Sequence, residues 1–584
     1  MFLPTTPSEL KTRGIKQLDI ILVTGDAYID SPFMGVSLIG RVLADKGYQV
    51  GIIAQPTMED DTDILRLGQP RLFWGVTAGA VDSMVANYTA SKKRRQQDDY
   101  TPGGINNCRP DRAVIAYTNL IRRFCKPMVP IVLGGIEASL RRIAHYDFWS
   151  NNIRRAILFD ARADFLVYGM AHSSILNLAA ALNTRQDTRD IPGIGYIAQE
   201  KKGIELPSFE AVQKDKYQYI ESFKLFYANT DPVTAKGICQ QHNDRYMILN
   251  PPEPYSTTAE LDAIHALDFE RDLHPYHRAK GSVRALETIR FSIPTHYGCY
   301  GECNFCAITV HQGRTVRHRS EASILAEANR FTRDKDFKGN ILDLGGPTAN
   351  MYGYECKKKL KEGACPDKRC LFPSICPSLA PDHSPQIRLI RKLEALPGIK
   401  KVFINSGIRY DLILNDKKKG TAYLEKLTQD NVSGQMKVAP EHTENRVLTL
   451  MGKQGTDDLL AFKQAFDQLS KRSEKKQFLT YYLIAAHPGC DLAEMVQLKK
   501  FTSEKLNINP EQVQIFTPTP STFSTLMYYT GLDPFTLEKI FVERNPQGKE
   551  KQKQAITDKS KKFQKKSSPQ FKKKRPSPGP GKKY

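Results

Sequence analysis

Three cysteines near the middle of the chain are the residues whose type and spacing point most directly to chemistry. Cys299, Cys303 and Cys306 have the spacing C-x3-C-x2-C. Three thiolates this close can hold three irons of a four-iron cluster, whereas ordinary ferredoxin-type clusters take four cysteines. The fourth iron is then open to a ligand that is not protein. A zinc knot is the alternative, but structural zinc sites use four ligands, and this loop contains no fourth.

The cysteine spacing resembles that of the radical S-adenosylmethionine (SAM) superfamily, in which the open iron chelates the amino and carboxylate groups of SAM. Phe305, the aromatic residue before the third cysteine, strengthens the resemblance and is assigned with it to SAM binding. Gly345 and Gly346 resemble the glycine-rich motif whose backbone meets the SAM amino group. Glycine suits that role because it lets the main chain approach a ligand closely.

Polar residues at the ends of later predicted strands complete the expected site. Ser406 or Arg409 is expected to meet the ribose hydroxyls or the carboxylate of SAM, the arginine through its planar pair of donors. A surface arginine that caps a helix is the alternative for Arg409. Glu441, His442 and His487 are expected either to bind SAM or handle protons, or to make structural hydrogen bonds. No catalytic residue is assigned.

Two further groups near the cysteines admit more than one interpretation. The basic stretch Arg314, Arg317, His318 and Arg319 either attracts an anionic substrate and neutralises the cluster or forms a solvated turn, and we favour the turn. The second cysteine group is Cys356, Cys365, Cys370 and Cys376, whose spacing fits neither a zinc-finger pair nor a ferredoxin run. We expect a second metal there, structural zinc or an auxiliary iron–sulfur cluster, with free thiols as the alternative.

The elements that must position these residues form an α/β fold. In residues 1–184, apolar runs alternate with helical stretches, which predicts a Rossmann-like parallel sheet with helices on both faces. Such sheets bind ligands at the carboxyl ends of their strands, where we expect Gly25, Asp26, Gly134, Gly135 and Glu137. The region resembles the domain that precedes many radical SAM cores and binds cobalamin in some. Because Asp26–Ser31 contains no histidine to serve as a lower axial ligand, cobalamin held through histidine is not expected. Cobalamin held without histidine is the alternative, and we favour a substrate or scaffold domain with no cofactor.

The remainder divides into three predicted parts. Residues 185–285 have weak periodicity and several prolines and are predicted to connect two α/β units. Residues 286–540 are predicted to form a (β/α)6 partial TIM barrel, the usual radical SAM core, with a Cys-rich insertion at 351–380. Its six predicted strands are Ile289–Ile293, Asn340–Leu344, Lys401–Asn405, Gln435–Val438, Phe478–Ala485 and Val513–Thr517. Residues 541–584 are predicted to be a disordered basic tail.

Charge and composition limit which partners and which location the sequence predicts. The net charge is +22, and the segment Asn545–Tyr584 carries 14 Lys or Arg against two acids, so more than half the excess lies there. We expect weak RNA binding through this tail, with a solubilising role as the alternative. Apolar runs are too short to span a membrane, and the polar N-terminus does not resemble a secretory signal. Eleven cysteines in two main groups favour metal ligation in a reducing, cytoplasmic setting.

The chain as a whole resembles the YgiQ-type radical SAM proteins, a family whose substrate is not established. The resemblance is carried by Met351–Gly353, Asp382–Gln386 and Val438–Thr443. It implies a [4Fe-4S] cluster and SAM binding but no particular reaction. Our hypothesis is an enzyme, supplied with electrons by a flavodoxin or ferredoxin, that reductively cleaves SAM to a 5′-deoxyadenosyl radical and abstracts hydrogen from an unknown substrate. The alternatives are a radical SAM methyl- or methylthio-transferase on RNA or protein, and a zinc-stabilised nucleic-acid-binding protein.

Overall fold

The first half of the chain is organised around one large sheet. The computed structural model describes residues 1–126, 128–473, 475–510 and 513–558. It has a mixed α/β fold with a nine-stranded, mainly parallel sheet. In spatial order the strands are Ile204–Leu206, Ile238–His242, Arg245–Leu249, Ile194–Ala198, Phe165–Val167, Ile131–Leu133, Phe73–Thr77, Ile20–Thr24 and Val50–Ala54.

The parallel part of this sheet is buried on both faces. All five residues of Ile20–Thr24 are buried. Ile21 and Val23 pack in one core with Tyr117, whereas Ile20 and Leu22 pack in a second core with Leu43. The two cores lie on opposite faces because successive strand side chains point to opposite sides. This explains why these strands are continuous apolar runs, and it confirms the expected mixed α/β class with a large parallel sheet.

The segment 185–285, expected to be a connector, contributes four strands to the same sheet. Ile194–Ala198 pairs antiparallel with Phe165–Val167, and Arg245–Leu249 and Ile238–His242 continue the sheet antiparallel. Ile204–Leu206 forms the edge. Later in the segment, Asp272–Leu273 pairs with Ile29–Asp30 beside the sheet.

The second half contains short strands that pair in parallel. Ile293–Pro294 pairs with Leu344–Gly345, and Asn340–Ile341 pairs with Lys401–Val402. A parallel bridge joins Ile408 to Val438. The series continues with the parallel strands Gln435–Glu441, Phe478–Ala485 and Gln514–Ile515. One predicted boundary is wrong: Arg284–Ile289 is a helix, so the strand before the cysteines begins at Ile293 rather than at Ile289.

Helices connect and cover the strands. Those before the cysteines are Pro7–Thr12, Gly35–Asp45, Ser83–Asn87, Ala113–Phe124, Gly135–Ser139, Ile157–Ala161, His172–Thr184, Phe209–Lys214, Lys216–Ala228, Thr258–Ala266, Pro275–Arg278 and Arg284–Ile289. Those after them are Ile308–His311, Glu321–Phe331, Lys357–Glu362, Ser384–Glu394, Tyr410–Asn415, Gly420–Lys426, Asn445–Met451, Asp457–Arg472, Leu492–Glu504, Phe523–Thr530 and Pro546–Thr557. Within the described ranges, no helix is long and apolar enough to cross a bilayer.

The helix Pro546–Thr557 corrects the prediction that residues 541–584 are disordered. Asn545 caps this helix by accepting from the Gln547 amide, and Ile556 is fully buried. The Gln552 side chain accepts from the Ala486 amide at 2.9 Å and donates to the Cys490 carbonyl at 3.0 Å. The low-complexity lysine pattern concealed these two anchoring side chains. Residues 559–584 lie outside the described ranges.

Candidate cofactor site

The cysteine loop, residues 299–306, is held in place at both ends. The Cys299 amide donates to the Gly313 carbonyl at 3.3 Å, and the Asn304 amide donates to the Met451 carbonyl at 2.9 Å. The Cys306 amide closes a turn onto the Cys303 carbonyl at 3.0 Å. The loop therefore presents three thiols from one short, fixed stretch of backbone, directly after the strand Ile293–Pro294 and the extended pair His296–Tyr297.

The surroundings of these thiols fit an iron–sulfur cluster. The Gly301 amide donates to Cys299 Sγ at 3.3 Å, and the Arg409 guanidinium donates to Cys303 Sγ at 3.8 Å. A methyl group at Gly301 would stand 3.2 Å from Cys299 Sγ and 3.6 Å from Cys303 Sγ, so glycine keeps the space between these sulfurs open. Hydrogen bonds to the sulfurs are among the features that tune such clusters.

The second cysteine group is only partly brought together. Cys356 and Cys370 lie in one small hydrophobic core, whereas Cys365 and Cys376 are half-buried. In the described part of the chain, no three His, Cys, Asp or Glu side chains, Cys299, Cys303 and Cys306 included, are spaced to share one metal ion. A four-iron cluster does not need that spacing, because each thiolate binds an iron of its own, whereas a single structural zinc does. A second metal at Cys356, Cys365, Cys370 and Cys376 therefore stays a prediction.

The insertion that contains this group braces the cysteine loop through one lysine. Lys359 is 1% exposed, and its Nζ donates to Glu302 Oε1 at 3.2 Å and to the Arg314 carbonyl at 2.6 Å. Burial alone would raise the pKa of Glu302, but Lys359 and Arg314 lower it below its ordinary value. The carboxylate at the centre of the cysteine loop is therefore charged and paired.

The predicted SAM motif lies next to the cysteine loop. The Gly345 carbonyl accepts from the Thr295 amide at 2.7 Å. A Cβ at Gly346 would stand 2.6 Å from His296 Nε2 and 2.7 Å from the His296 carbonyl oxygen, so only glycine fits. Asp343 accepts from the Ser406 amide at 3.1 Å and also from its hydroxyl. The strand ends that carry Gly345 and Ser406 are thereby tied together.

Arg409 points toward the cysteines rather than to solvent. Its Nε donates to Asp411 Oδ1 at 2.9 Å, and Asn350 clamps its backbone by two hydrogen bonds of 2.9 Å each. Glu441 is buried, with a left-handed backbone (φ 68°), and lies 3.8 Å from Lys453 Nζ. Burial raises the pKa of Glu441. The assignment of Ser406, Arg409 and Glu441 to SAM stays a prediction.

Other polar residues predicted for the site make structural contacts. His442 Nδ1 accepts from the Glu444 amide at 3.1 Å, and His487 Nε2 lies 2.6 Å from Ser524 Oγ. Both histidines are fully buried. Phe305 packs edge-on to His487, with ring centroids 6.3 Å apart.

The basic stretch is not a solvated turn. Arg319 is fully buried and pairs with Glu327 at 2.5 Å. Arg317 pairs with Glu355 at 2.7 Å, and Arg314 is buried 3.6 Å from Glu302. The acidic partners lie up to 38 residues away in the chain, so the pairing could not be read from the local sequence.

A large cavity joins the candidate site to the first sheet. Its volume is about 500 Å³. On one side it is lined by the carboxyl ends of sheet strands, including Thr77 and Gly134, and on the other by Gly345, Gly346 and Ser406. Gly135 also lines it, whereas Asp26 and Glu137 are buried in hydrogen bonds to the Ala80 and Ser83 amides. The cavity is mostly apolar, and residues from both halves of the chain line it.

Sequence reasoning missed several residues that surround the cysteines. Thr348 Oγ1 lies 3.5 Å from Cys299 Sγ, and the Thr348 carbonyl meets His296 Nε2 at 2.9 Å. Asn350 and Asp343 hold Arg409 and Ser406 as described above. The signal available was their position, because all three flank the Gly345-Gly346 pair within eight residues.

Comparison with known proteins identifies the class of protein to which this chain belongs. A family model described as Radical SAM N-terminal matches residues 2–292, and a domain of unknown function (DUF3362) matches residues 511–573. The protein is a radical SAM enzyme of unassigned reaction. A UPF0313 protein of Fusobacterium nucleatum is 55% identical, over 96% of this chain and 99% of that protein. A UPF0313 protein of Thermotoga maritima is 48% identical over the same shares. The chain belongs to the UPF0313 (YgiQ) family, which confirms the resemblance noted in the sequence.

A solved structure shares the fold and corrects one expectation. The radical SAM methyltransferase TsrM from Kitasatospora setae, solved with cobalamin and a [4Fe-4S] cluster bound, superposes with a TM-score of 0.50. It is 13% identical, and the match covers 86% of this chain and 74% of TsrM. The expectation that cobalamin is unlikely was wrong, because TsrM, which shares this fold, holds cobalamin. The lack of a histidine in residues 26–31 was too narrow a criterion for judging cobalamin binding, because this loop does not line the large cavity.

Proposed function

We propose that this protein is a radical SAM enzyme that acts on a substrate bound in the large cavity. The observation that carries the proposal is the position of this cavity between the sheet edge and the Gly345-Gly346 turn. We further propose that the parallel strands from Ile293 to Ile515 constitute a (β/α)6 partial TIM barrel and that the first sheet is Rossmann-like. Chemistry in such barrels gathers at the carboxyl ends of strands.

Cys299, Cys303 and Cys306 would hold a [4Fe-4S] cluster, and Gly345, Gly346 and Ser406 would line the SAM site. A reduced cluster held there would supply one electron to the sulfonium of SAM, and that cleavage would yield methionine and a 5′-deoxyadenosyl radical able to take a hydrogen atom from the substrate. The protein's own residues would orient the cofactors and shield the site from water. Arg409 and the Gly301 amide donate to the sulfurs, and Asp343 fixes Ser406. The apolar walls of the cavity keep water from a radical.

The test is product analysis after anaerobic reconstitution with iron, sulfide and SAM. With a chemical reductant, or with a flavodoxin or ferredoxin as the proposed physiological donor, the protein should form 5′-deoxyadenosine. Cys306→Ala should abolish it, whereas Cys108→Ala, which removes a half-exposed thiol far from the loop in sequence, should not. Equal 5′-deoxyadenosine from wild type and Cys306→Ala would overturn the proposal.

A second candidate is methyl transfer that depends on cobalamin. The likeness to TsrM and the cavity of about 500 Å³ favour it. In that case S-adenosylhomocysteine would replace 5′-deoxyadenosine as the main product, or accompany it, and cobalt would stay with the protein after gel filtration. A protein that retains no cobalt and forms only 5′-deoxyadenosine would exclude this second function.

A further inference from the structure

A second, smaller cavity of about 80 Å³ adjoins the large one and contains an unusual charge. The two cavities share a wall that includes Gly169, His172, Tyr297 and His311. Arg142 lines the small cavity and is 3% exposed. Its guanidinium is stacked between the rings of Tyr168 and Phe226, at 4.5 and 4.7 Å from their centroids.

Arg142 is a buried cation without a carboxylate. Its Nη1 donates to the carbonyls of Ser139 at 3.0 Å and Val310 at 3.5 Å, and none of the ion pairs in the described ranges includes it. Burial lowers the pKa of Arg142 to about 10, so the group is still charged near neutral pH. A buried cation without an anionic partner is costly, because carbonyl and ring contacts do not neutralise its charge.

Two histidines on the shared wall have ring nitrogens without hydrogen-bond partners. Among the described residues, none forms a hydrogen bond with either ring nitrogen of His172 or with Nδ1 of His311, and these three atoms are buried. Burial, with Arg142 nearby, lowers the pKa of His311 to about 4, and burial lowers the pKa of His172. Each ring is therefore neutral near pH 7 and has one N–H that can donate. Buried donors are normally paired. Two histidine rings with unmet nitrogens, together with a buried cation that has no anion, therefore indicate a missing anionic acceptor.

The other charged residues of the small cavity are already satisfied. Glu253 accepts from the Ser173 amide at 2.8 Å and from the Ser174 hydroxyl at 2.8 Å, at the start of the helix His172–Thr184. Arg317 is paired with Glu355. Arg142 is thus the one lining cation in the described ranges that has no anion of its own.

We propose that Arg142, His172 and His311 form an oxyanion site that binds a carboxylate or phosphate group of the molecule held in the large cavity. The occupant is then an amphiphilic anion, with its apolar body in the large cavity and its charged end at Arg142. This rests on the proposed function in taking the large cavity as the ligand chamber. The anion belongs either to the substrate or to the phosphodiester of bound cobalamin.

The experiment measures binding by calorimetry on the reconstituted protein without SAM. The probes are decanoate, decyl phosphate and the uncharged decanol, with hydroxocobalamin as a separate arm. One of the two anions should bind at least tenfold more tightly than decanol. Arg142→Met should remove that preference, and Arg142→Lys should restore part of it. Arg189→Met, which removes an exposed arginine, should leave it unchanged.

The arms separate the sources of the anion. Loss of decanoate or decyl phosphate binding in Arg142→Met assigns the anion to a substrate, and weaker hydroxocobalamin binding alone assigns it to cobalamin. If Arg142→Met fails to fold, His311→Phe replaces it and should weaken the same anion. Equal affinity for the anions and decanol in wild type, with hydroxocobalamin binding unaffected by the variant, would overturn the site. Because no SAM is present, that outcome leaves 5′-deoxyadenosine formation as an independent test of the proposed function.

Discussion

At the scale of single residues, the candidate site depends on small side chains that leave room and charged ones that are tightly paired. Gly301 leaves space beside Cys299 Sγ and Cys303 Sγ, and Gly346 leaves space beside His296. Glu302 and Asp411 neutralise cations around the cysteine loop. The role of such residues cannot be predicted from motif spacing alone, because it depends on a partner distant in the chain.

Gly346→Ala should weaken SAM binding while the cluster still assembles. The new methyl would stand 2.7 Å from the His296 carbonyl oxygen, which is main chain and cannot move aside cheaply, so the turn must shift. We expect the SAM dissociation constant to rise at least tenfold, about 1.4 kcal/mol, measured by equilibrium dialysis. Gly407→Ala is the matched control, because a Cβ there meets no atom within 4 Å. Unchanged SAM affinity in Gly346→Ala would contradict the assignment of this turn.

Glu327→Gln should destabilise the fold in a pH-dependent way. Burial alone would raise the pKa of Glu327, but Arg271 and Arg319 outweigh it and lower the pKa to about 2, from an ordinary value of 4.5. The charged carboxylate therefore contributes stability above pH 4.5 that is lost as the pH falls toward 2. Removing it leaves two buried guanidinium groups unpaired, at a cost of about 3–5 kcal/mol near pH 7.

Thermal unfolding of wild type and Glu327→Gln between pH 7 and pH 3 checks this prediction. The difference between their unfolding midpoints should be largest near pH 7 and shrink below pH 4.5. Glu321→Gln on the same helix is the control, since that acid makes exposed pairs of small worth with Arg388 and Lys392. A midpoint difference that does not depend on pH would show that packing, not charge, accounts for the effect.

At the scale of elements, the sequence predicted the parallel strands of residues 1–184 and missed the strands that residues 185–285 add to the same sheet. Ile20–Thr24 and Val50–Ala54 could be predicted because strands buried on both faces are continuously apolar. Arg245–Leu249, which pairs antiparallel, and Ile204–Leu206, which pairs in parallel at the sheet edge, both carry exposed residues, so their weak periodicity concealed them. The helix Pro546–Thr557 was missed because its few buried side chains include Lys549 and Gln552.

The insertion 351–380 should support the cysteine loop, whatever its own cysteines bind. Lys359→Met removes the cation that meets Glu302 and the Arg314 carbonyl. We expect less iron per protein after reconstitution and faster loss of the cluster in air, because the loop carrying the cysteines loses a buried brace. Lys361→Met, on the exposed side of the same helix, should retain iron at the wild-type level. Full iron retention in Lys359→Met would refute this role of the insertion.

Two truncations separate the C-terminal helix from the basic residues after it. Ending the chain at Asp558 removes 11 Lys or Arg and no acids, and should abolish salt-sensitive RNA binding without lowering the unfolding midpoint. Ending it at Asn545 should also lower the midpoint, because the Ala486 amide loses Gln552 and the site of Ile556 is exposed. RNA titrations at two salt concentrations and thermal unfolding measure both effects. If ending the chain at Asp558 leaves RNA affinity unchanged, residues 559–584 are not an RNA-binding site.

At the scale of the whole molecule, both halves of the chain line the large cavity. The sheet supplies strand ends such as Thr77 and Gly134, and the second half supplies Gly345 and Ser406. A sequence predicts each set of strand ends separately, but not that they face each other. The cysteine triad and the glycine pair could be predicted from spacing, whereas the cavity and the unpaired Arg142 could not, because they arise from contacts between distant segments.

We propose that the cysteine loop holds a four-iron cluster with one iron open to SAM, and electron paramagnetic resonance of the anaerobically purified and reduced protein, recorded with and without SAM, is the decisive measurement. We expect a reduced [4Fe-4S] signal that is lost in Cys299→Ala, Cys303→Ala and Cys306→Ala and that shifts when SAM is added. A signal indifferent to SAM, or no iron signal from fully reconstituted protein, would contradict it.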